Sequence, residues 1–258
     1  MPVFEWDRCE EFWVPTPLAR GPFAGLQGGA VAGLLTAEAE RLASANGFGA
    51  GVNVSAWFLR PVPVTPLRTQ LTVLHAKGRL AVIDSGLFAA DGDEPLATAR
   101  VTFMAGRDLS SLAPPLTAIE ASLDPATLPE NRRPSMHGGP WMMDAMEARR
   151  GPDGVFWFRP TTPMIEGAGP LASVLGPADW AHGLGRPIEK LFADPNPTLD
   201  VHLLRRPLNG WVGVRAKAHW RPEVGGGFGA GVLIDPLGEI GAVSMAVALS
   251  PFPKPAAA

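Results

Sequence analysis

The stretch GPFAGLQGGAVAGLLTAEAER, residues 21–41, decides how the first part of this chain folds. After Gly28 and Gly29 the apolar side chains approximate helical spacing, and no acidic residue occurs before Glu38. Alanine and glycine fill most of the remaining positions, so the helix has almost none of the polar side chains expected on the outer face of a surface helix. The pattern predicts one long helix that is surrounded by protein on most sides.

Apolar-rich segments alternate with turn residues along the rest of the chain, which is typical of antiparallel strands. The first half carries predicted strands at 52–60, 67–77, 80–89 and 96–104. The second half carries a strand at 154–159, a helical tendency over 171–191 with interruptions at 176–177 and 186–187, and strands at 199–205, 211–220, 229–234 and 240–249. The glycine-rich run at 225–231 indicates a hairpin connection or a bulge, because it lacks the Lys-Ser/Thr ending of a phosphate loop.

The two halves repeat one order of elements. FLRPVPVTPLRTQLTVLHAKGR, starting at Phe58, corresponds to LLRRPLNGWVGVRAKAHWRPEV, starting at Leu203, and each is followed by a strand, an Asp-containing hairpin and a strand. We therefore expect an α+β protein with an internal duplication, in which each copy is a helix packed on an antiparallel sheet. The proline-rich segment 109–135 is a predicted surface linker between halves at 1–108 and 136–252, with a tail at 253–258.

The composition excludes several classes of function. The 22 basic and 25 acidic residues nearly cancel, so a broad electrostatic surface for nucleic acid or an anionic membrane is missing. Cys9 is the only cysteine and the five histidines are scattered, which excludes an intrachain disulfide and disfavours a metal site. The N-terminal MPVFEWDRCEEFWV lacks the pattern of a secretory signal, and no apolar stretch reaches 18 residues. We expect a cytoplasmic protein without nucleic-acid or membrane partners.

Four segments, taken together in their order, resemble the acyl-CoA thioesterase II (TesB-like) family. They are LQGGAVAGLLTAEAER at 26–41, VSAWFLRPVPV at 54–64, TLDVHLLRRP at 198–207 and DPLGEIGAVSMAVAL at 235–249. The resemblance implies a double hotdog fold, two fused halves each with a long helix wrapped by an antiparallel sheet. It also implies hydrolysis of an acyl-CoA to free acid and CoA within fatty acid metabolism. No cofactor or metal is expected, coenzyme A being part of the substrate. Dimerisation is suggested, although the sequence does not fix the oligomeric state.

The resemblance also implies which residues carry the chemistry. Asp179 matches the family's water-orienting or water-deprotonating aspartate, although a helix cap is the ordinary alternative for such a residue. Thr198 lies nearest the position that supports the water, and Asn196 is its alternative. The family's glutamine falls on Ala246, which has no hydrogen-bonding side chain. A catalytically impaired acyl-CoA-binding or lipid-binding protein is therefore the alternative function.

Substrate contacts are expected at two further places. The Gly28-Gly29 helix start offers unpaired N–H groups to a developing oxyanion, or else the two glycines only allow tight packing. Arg60 and Arg205 lie at equivalent points of the two halves, where they either meet the phosphates of coenzyme A or are solvated.

Two other enzyme classes are disfavoured. Asp194-Pro195-Asn196-Pro197 is similar to part of a hydratase-type hotdog motif, but the histidine that such a motif requires is replaced by Leu199. A serine esterase needs a G-x-S-x-G nucleophile elbow, and the sequence contains none.

Overall fold

Helix α1, Gly28–Asn46, forms where the sequence predicts a long helix. The computed structural model describes residues 1–23, 25–112, 123–135, 138–188 and 191–252. Gln27 caps the start of α1, because its side-chain oxygen accepts the N–H of Ala30 at 2.8 Å. Gly47 ends the helix in the left-handed conformation, with φ 68°. Most of α1 is buried, which confirms the prediction that protein surrounds this helix on most sides.

The described residues form fourteen strands and two further helices. The strands are β1 (Phe4–Asp7), β2 (Phe12–Pro15), β3 (Ala50–Phe58), β4 (Leu67–Lys77), β5 (Leu80–Ala89), β6 (Pro95–Met104), β7 (Met146–Arg150), β8 (Phe156–Pro160), β9 (Phe192–Ala193), β10 (Thr198–Leu203), β11 (Val212–Arg221), β12 (Gly226–Asp235), β13 (Gly238–Ala248) and β14 (Ser250–Pro251). The helices are α2 (Pro170–Asp179) and α3 (Ala181–Leu184). None of the described helices has the length and apolar character that a membrane crossing requires.

Twelve of the strands form one antiparallel sheet whose order repeats about its centre. That order is β1-β2-β4-β5-β6-β3-β10-β13-β12-β11-β8-β7, and β9 pairs only with β14. The spatial order β3-β6-β5-β4 after α1 corresponds to β10-β13-β12-β11 after α2 and α3. Strands β3 and β10 pair with Val54 opposite Val201 and so join the two halves. The repeated order agrees with the duplication predicted from sequence.

The predicted linker and tail stay predictions. Residues 113–122 of the linker and the tail 253–258 lie outside the described residues. Within the described part of the linker, residues 125–127 form one turn of 3-10 helix and Glu130 makes an isolated bridge to Arg149.

The two long helices hold each other through buried carboxylates. Glu40, on α1, accepts the N–H groups of Leu171 at 3.0 Å and Ala172 at 3.1 Å in the first turn of α2. Asp179, the last residue of α2, accepts the N–H of Gly29 in the first turn of α1. First-turn N–H groups have no partner within their own helix and carry the positive end of its dipole, so a carboxylate stabilises them. The helices therefore lie antiparallel, each capped by the other.

Three local predictions are wrong. The short strands β1, β2 and β7 were not predicted, because four or five residues are too few for alternation to stand out. Helix α2 continues through Pro177, where an interruption was predicted. The run 225–231 was predicted to be a hairpin or bulge, yet from Gly226 onward it lies in β12 and pairs on both sides. A side chain at Gly229 would come within 3.0 Å of the Cα atom of His182, so glycine lets α3 lie directly on this strand.

Replacing Glu40 by alanine should destabilise the protein. Glu40→Ala leaves the first N–H groups of α2 without acceptors in a buried place, and we expect the free energy of unfolding to fall by about 3 kcal/mol. Urea denaturation followed by circular dichroism measures the change. The control is Glu166→Ala at an exposed position, which should change stability by less than about 0.5 kcal/mol. Equal stabilities of the two variants would contradict the capping role.

Candidate active site

Asp179 is the centre of a buried polar cluster built from three parts of the chain. Its side chain is 3% exposed at the end of α2. One carboxylate oxygen accepts a hydrogen bond from the Gln27 amide at 2.6 Å, and the other accepts one from the Asn196 amide at 2.8 Å. The N–H of Gly29 adds a third donor. The carboxylate therefore has a fixed orientation at the junction of α1, α2 and the segment before β10.

The cluster shifts the ionisation of Asp179. Burial raises the pKa of Asp179 above the ordinary 3.8, since a charged carboxylate loses hydration there. The charge of His182 and the hydrogen bonds from Asn196, Gly29 and Gln27 act in the opposite direction and only partly offset burial. A carboxylate with a raised pKa is a better proton acceptor near neutral pH. Asp179 thus has the environment of a general base.

The start of α1 offers one open N–H group beside this carboxylate. The N–H of Gly29 is taken by Asp179, and that of Ala30 by the Gln27 side chain. No hydrogen bond to the N–H of Gly28 occurs among the residues that the structure describes. Gly28 as a whole is half-buried. Its N–H is the group at which a developing negative charge would be stabilised by the helix dipole.

Gly29 is needed for the close approach of α1 and α2, and there is little room for a side chain at Gly28. A Cβ atom at Gly28 would lie 3.0 Å from Oδ1 of Asp179 and 3.1 Å from the ring of Phe58. A Cβ atom at Gly29 would lie 2.5 Å from the carbonyl oxygen of Leu175. Tight packing and access to an N–H donor are therefore served by the same pair of residues, and the two interpretations left open by the sequence do not exclude each other.

Gln27 is the residue of the cluster that sequence reasoning missed. Both ends of its amide are used, since the oxygen caps α1 and the nitrogen donates to Asp179. The available signal was its position directly before the glycine pair, where serine, threonine, aspartate or asparagine is the usual cap. A glutamine there has the reach to connect a second element.

The structure brings Asn196 to Asp179 but turns Thr198 away from it. In β10 the buried Leu199 and Val201 alternate with Thr198 and Asp200, which point to the opposite face. The Thr198 hydroxyl accepts the N–H of Ala246 at 2.9 Å. Among the described residues, no hydrogen bond joins Thr198 to Asp179. The catalytic roles of Asn196 and Thr198 stay predictions.

Ala246 also lies on the exposed face of the sheet. A bulge in β13 leaves Ile240 without a pairing partner in β12, because Leu233 pairs with Gly241 and Ile234 with Glu239. Ile240 is buried at the bulge, and Val243, Met245 and Val247 are buried after it. Met245 rather than Ala246 therefore faces the helices. Ala246 is not the neighbour of Asp179 that the resemblance implied, so its lack of a polar side chain removes nothing from this cluster.

The two predicted arginines differ in position. Arg60 follows β3 at the end where Trp57 pairs with Thr198, and it forms an exposed ion pair with Glu94. Arg205 follows the opposite end of β10, whose last residue, Leu203, lies roughly 16 Å from Thr198 at about 3.3 Å per residue. Its guanidinium makes two hydrogen bonds to the buried Asp235, at 2.5 and 2.7 Å. The structure brings only Arg60 toward the cluster, and both phosphate-binding roles stay predictions.

One depression of the described surface is lined neither by Asp179 nor by the residues that bind its carboxylate. This depression of about 420 Å³, on the exposed face of β4, β5 and β6, is bordered by Trp57, Phe88 and Arg100. No group of three or more His, Cys, Asp or Glu side chains in the described ranges is arranged to hold a metal ion.

Comparison with known proteins agrees with this architecture. Residues 17–104 match the family model of the acyl-CoA thioesterase N-terminal domain, whereas no curated protein matches the chain. Among solved structures, the chain is similar to a provisionally assigned thioesterase from Novosphingobium aromaticivorans, with a TM-score of 0.72, 18% identity and coverage of 97% of this chain and 99% of that one. It is also similar to acyl-CoA thioesterase II TesB2 from Mycobacterium marinum, with a TM-score of 0.69, 12% identity and coverage of 99% and 97%.

A third structure carries the name of the fold itself. It is a protein of unknown function with a hot dog fold from Alicyclobacillus acidocaldarius, with a TM-score of 0.69, 17% identity and coverage of 93% of this chain and 92% of that one. Identities this low establish the fold alone. Together with the family match, they confirm the resemblance to the acyl-CoA thioesterase II family and the hot dog fold predicted from sequence.

Replacing Gln27 by alanine should loosen the cluster. Gln27→Ala removes the cap of α1 and one donor to the buried carboxylate, so we expect the free energy of unfolding to fall by about 2 kcal/mol. Urea denaturation measures the loss. Gln70→Ala, at an exposed position of β4, is the matched control and should stay within about 0.5 kcal/mol of the unaltered protein. A Gln27→Ala protein as stable as this control would show that the amide contributes nothing.

Proposed function

We propose that this chain, whose residues 17–104 match the acyl-CoA thioesterase N-terminal domain, hydrolyses acyl-CoA thioesters to free acid and CoA. The observation that carries the proposal is the buried Asp179 carboxylate, held by three donors beside the open N–H of Gly28. Thioester hydrolysis requires an activated water and a donor for the oxyanion. The cluster contains one group suited to each task.

The proposed reaction begins at Asp179. Its carboxylate takes a proton from water as the water oxygen bonds to the thioester carbon. The N–H of Gly28, at the positive end of α1, stabilises the negative charge that forms on the carbonyl oxygen. The carbon–sulfur bond then breaks, and the CoA thiolate takes the proton that Asp179 holds, so the thiol leaves and the carboxylate is restored. Asn196 and Gln27 keep the carboxylate oriented throughout, and the Thr198 hydroxyl accepts the N–H of Ala246 between β10 and β13.

The repeated topology supports a double hotdog arrangement of two fused halves with one reaction site. Glu40 occupies the place in the first half that Asp179 occupies in the second, because each caps the partner helix. Both oxygens of Glu40 are bound by backbone N–H groups in the first turn of α2. Nothing comparable to the amides of Gln27 and Asn196 surrounds Glu40 in the described structure. We infer that Glu40 is structural and that Asp179 alone serves catalysis.

The remaining expectations from sequence form part of the same proposal. Hydrolysis by a carboxylate and water needs no cofactor or metal, and coenzyme A takes part only as a portion of the substrate. Arg60 is the arginine from which we expect a phosphate contact, because its ion pair with Glu94 is exposed, whereas Arg205 is held by the buried Asp235. We also propose that the protein forms a homodimer, is cytoplasmic and acts in fatty acid metabolism.

A non-catalytic acyl-CoA-binding protein was the alternative, and the comparisons do not favour it. Its main support was the alanine at position 246. Because Ala246 lies on the exposed face of β13, it does not weaken the environment of Asp179. The alternative rests on the absence of a glutamine amide at position 246. The Gln27 side chain donates a hydrogen bond from such an amide to the Asp179 carboxylate.

The direct test is release of CoA from acyl-CoAs of different chain lengths by the purified protein, followed with a thiol reagent. We expect turnover by the unaltered protein and a loss of about 10²-fold to 10⁴-fold in kcat for Asp179→Asn, since asparagine cannot accept the proton. Asp91→Asn, at an exposed turn, is the control and should keep full activity. Binding of acyl-CoA without turnover by the unaltered protein would support the alternative instead.

The pH dependence gives a second test. Only ionised Asp179 accepts a proton, so activity should be lost as the pH falls through its pKa, and the raised pKa places this loss above pH 3.8. Gln27→Glu places a second carboxylate beside Asp179 and should move the acid limb of kcat/KM upward by about one unit or more. The profile is measured with a single acyl-CoA substrate. An acid limb unchanged by Gln27→Glu would contradict Asp179 as the base.

A further inference from the structure

The depression on the exposed face of β4, β5 and β6 has aromatic side chains on its border. Trp57 of β3 and Phe88 of β5 line this space of about 420 Å³. Trp57 is 43% exposed, and the Phe88 ring lies so close to Gly86 that a Cβ atom there would come within 2.9 Å of it. An exposed aromatic ring beside a depression offers a flat apolar surface on which a planar ring can stack.

The pairing register places polar side chains between Trp57 and the outer strand β4. Gln70 of β4 is opposite Gly86, and Gly86 is opposite Thr98 of β6. Thr98 is in turn opposite Trp57. Directly paired residues lie on the same face of a sheet, so the Gln70 amide and the Thr98 hydroxyl share the face of Trp57. With strands about 4.8 Å apart, Gln70 and Trp57 are about 14 Å from each other, which leaves room for a nucleobase between them.

Three arginine side chains surround the depression. Arg100 borders it directly and is held by Asp84, with hydrogen bonds of 2.6 and 2.8 Å. The Arg68 guanidinium lies 4.7 Å from the centre of the Phe88 ring and binds the turn between β5 and β6. Arg60 reaches the same turn from the segment after β3. Two guanidinium groups therefore lie at the end of the depression where β5 and β6 are joined.

The acidic partners of Arg60 and Arg68 can be replaced by a ligand. Glu94 pairs with Arg60 and Asp93 with Arg68, and both carboxylates are exposed. Ion pairs between exposed side chains contribute little, because water competes for both charges. A phosphate carries more charge than a carboxylate and binds a guanidinium through two parallel hydrogen bonds. The phosphates of a nucleotide can therefore take over these guanidinium groups, while Asp93 and Glu94 turn to water.

The end of β3 lies between the depression and the proposed reaction site. Phe58 follows Trp57 and packs on the opposite, core side of the sheet, where its ring would be 3.1 Å from a Cβ atom at Gly28. Strand β3 ends at Phe58, and Arg60 follows two residues later. A ligand that passes from Gly28 around this end therefore meets Arg60 and then Trp57. Coenzyme A carries its groups in that order, with the thiol arm first, the phosphates next and adenine last.

We propose that this depression binds the nucleotide part of coenzyme A, with adenine stacked on Trp57 and the phosphates bound by Arg60 and Arg68. The inference rests on the proposed hydrolase function and adds a substrate subsite to it. No bond of the nucleotide changes during hydrolysis, so the subsite holds the substrate without taking part in the reaction. Its contribution therefore belongs to substrate binding and is measured in KM.

Shortened substrates test this subsite. An acyl-pantetheine keeps the thioester and the thiol arm of the corresponding acyl-CoA but lacks the nucleotide, and release of the thiol measures both reactions. Trp57→Ala should lower kcat/KM for acyl-CoA about tenfold, mainly through KM, and change it less than about twofold for acyl-pantetheine. Trp6→Ala is the matched control, because Trp6 of β1 is 44% exposed against 43% for Trp57. It should affect neither substrate.

Charge changes at the turn between β5 and β6 give a second, independent readout. Arg60→Gln should raise KM for acyl-CoA about tenfold, since a charge-assisted contact with phosphate is lost. Glu94→Gln should lower this KM about threefold, because a negative charge no longer competes for Arg60. Neither change should alter KM for acyl-pantetheine. An ion pair that only supports the fold predicts similar effects on both substrates, and that result would overturn the proposal.

The outcomes separate this subsite from the function on which it rests. If the unaltered protein hydrolyses neither substrate, the proposed function fails, and quenching of tryptophan fluorescence by CoA, lost in Trp57→Phe, decides the subsite alone. If both substrates are hydrolysed but Trp57→Ala lowers kcat/KM equally for both, only the subsite is overturned. Binding of adenosine bisphosphate at Trp57 without competition against acyl-CoA would indicate a site for free nucleotides and would also overturn it. Should Trp57→Ala not fold, Arg60→Gln and Glu94→Gln decide.

Discussion

Each long helix of this protein is held at its start by a carboxylate from the other helix. Asp179 binds the first turn of α1 and Glu40 binds the first turn of α2, which fixes the helices as an antiparallel pair. The unpaired N–H groups of a helix start would otherwise be buried without acceptors, at considerable cost. The sheet repeats its strand order around this pair. The arrangement of both halves thus depends on two reciprocal contacts between backbone donors and buried acids.

The two contacts differ in the groups that surround each carboxylate. Burial raises the pKa of both Glu40 and Asp179. Both oxygens of Glu40 are bound by backbone N–H groups of α2. Asp179 is bound by two side-chain amides and adjoins the half-buried Gly28. A duplicated architecture therefore carries two related carboxylates, of which one completes the packing and the other is suited to accept a proton.

Sequence reasoning identified part of this cluster and missed the rest for definite reasons. Asp179, Asn196 and the glycine pair follow from a resemblance in local motifs, and the structure brings them together. Gln27 meets Asp179 across 152 positions of sequence, a separation that no local pattern encodes. The face on which Ala246 lies depends on the bulge in β13, which shifts the alternation by one residue. Counting along the strand therefore gave the wrong face.

The sequence by itself determined the long buried helix, the bounds of strands such as Leu67–Lys77 and Leu80–Ala89, and the repeated order of elements. These follow from the periodicity of apolar side chains, which is a property of neighbouring residues. Only the tertiary structure decided that Gln27 binds Asp179, that Glu40 caps α2, and that Arg205 is paired with Asp235. Such roles depend on hydrogen bonds and charges between distant segments, and burial gives those contacts their strength because water no longer competes for them.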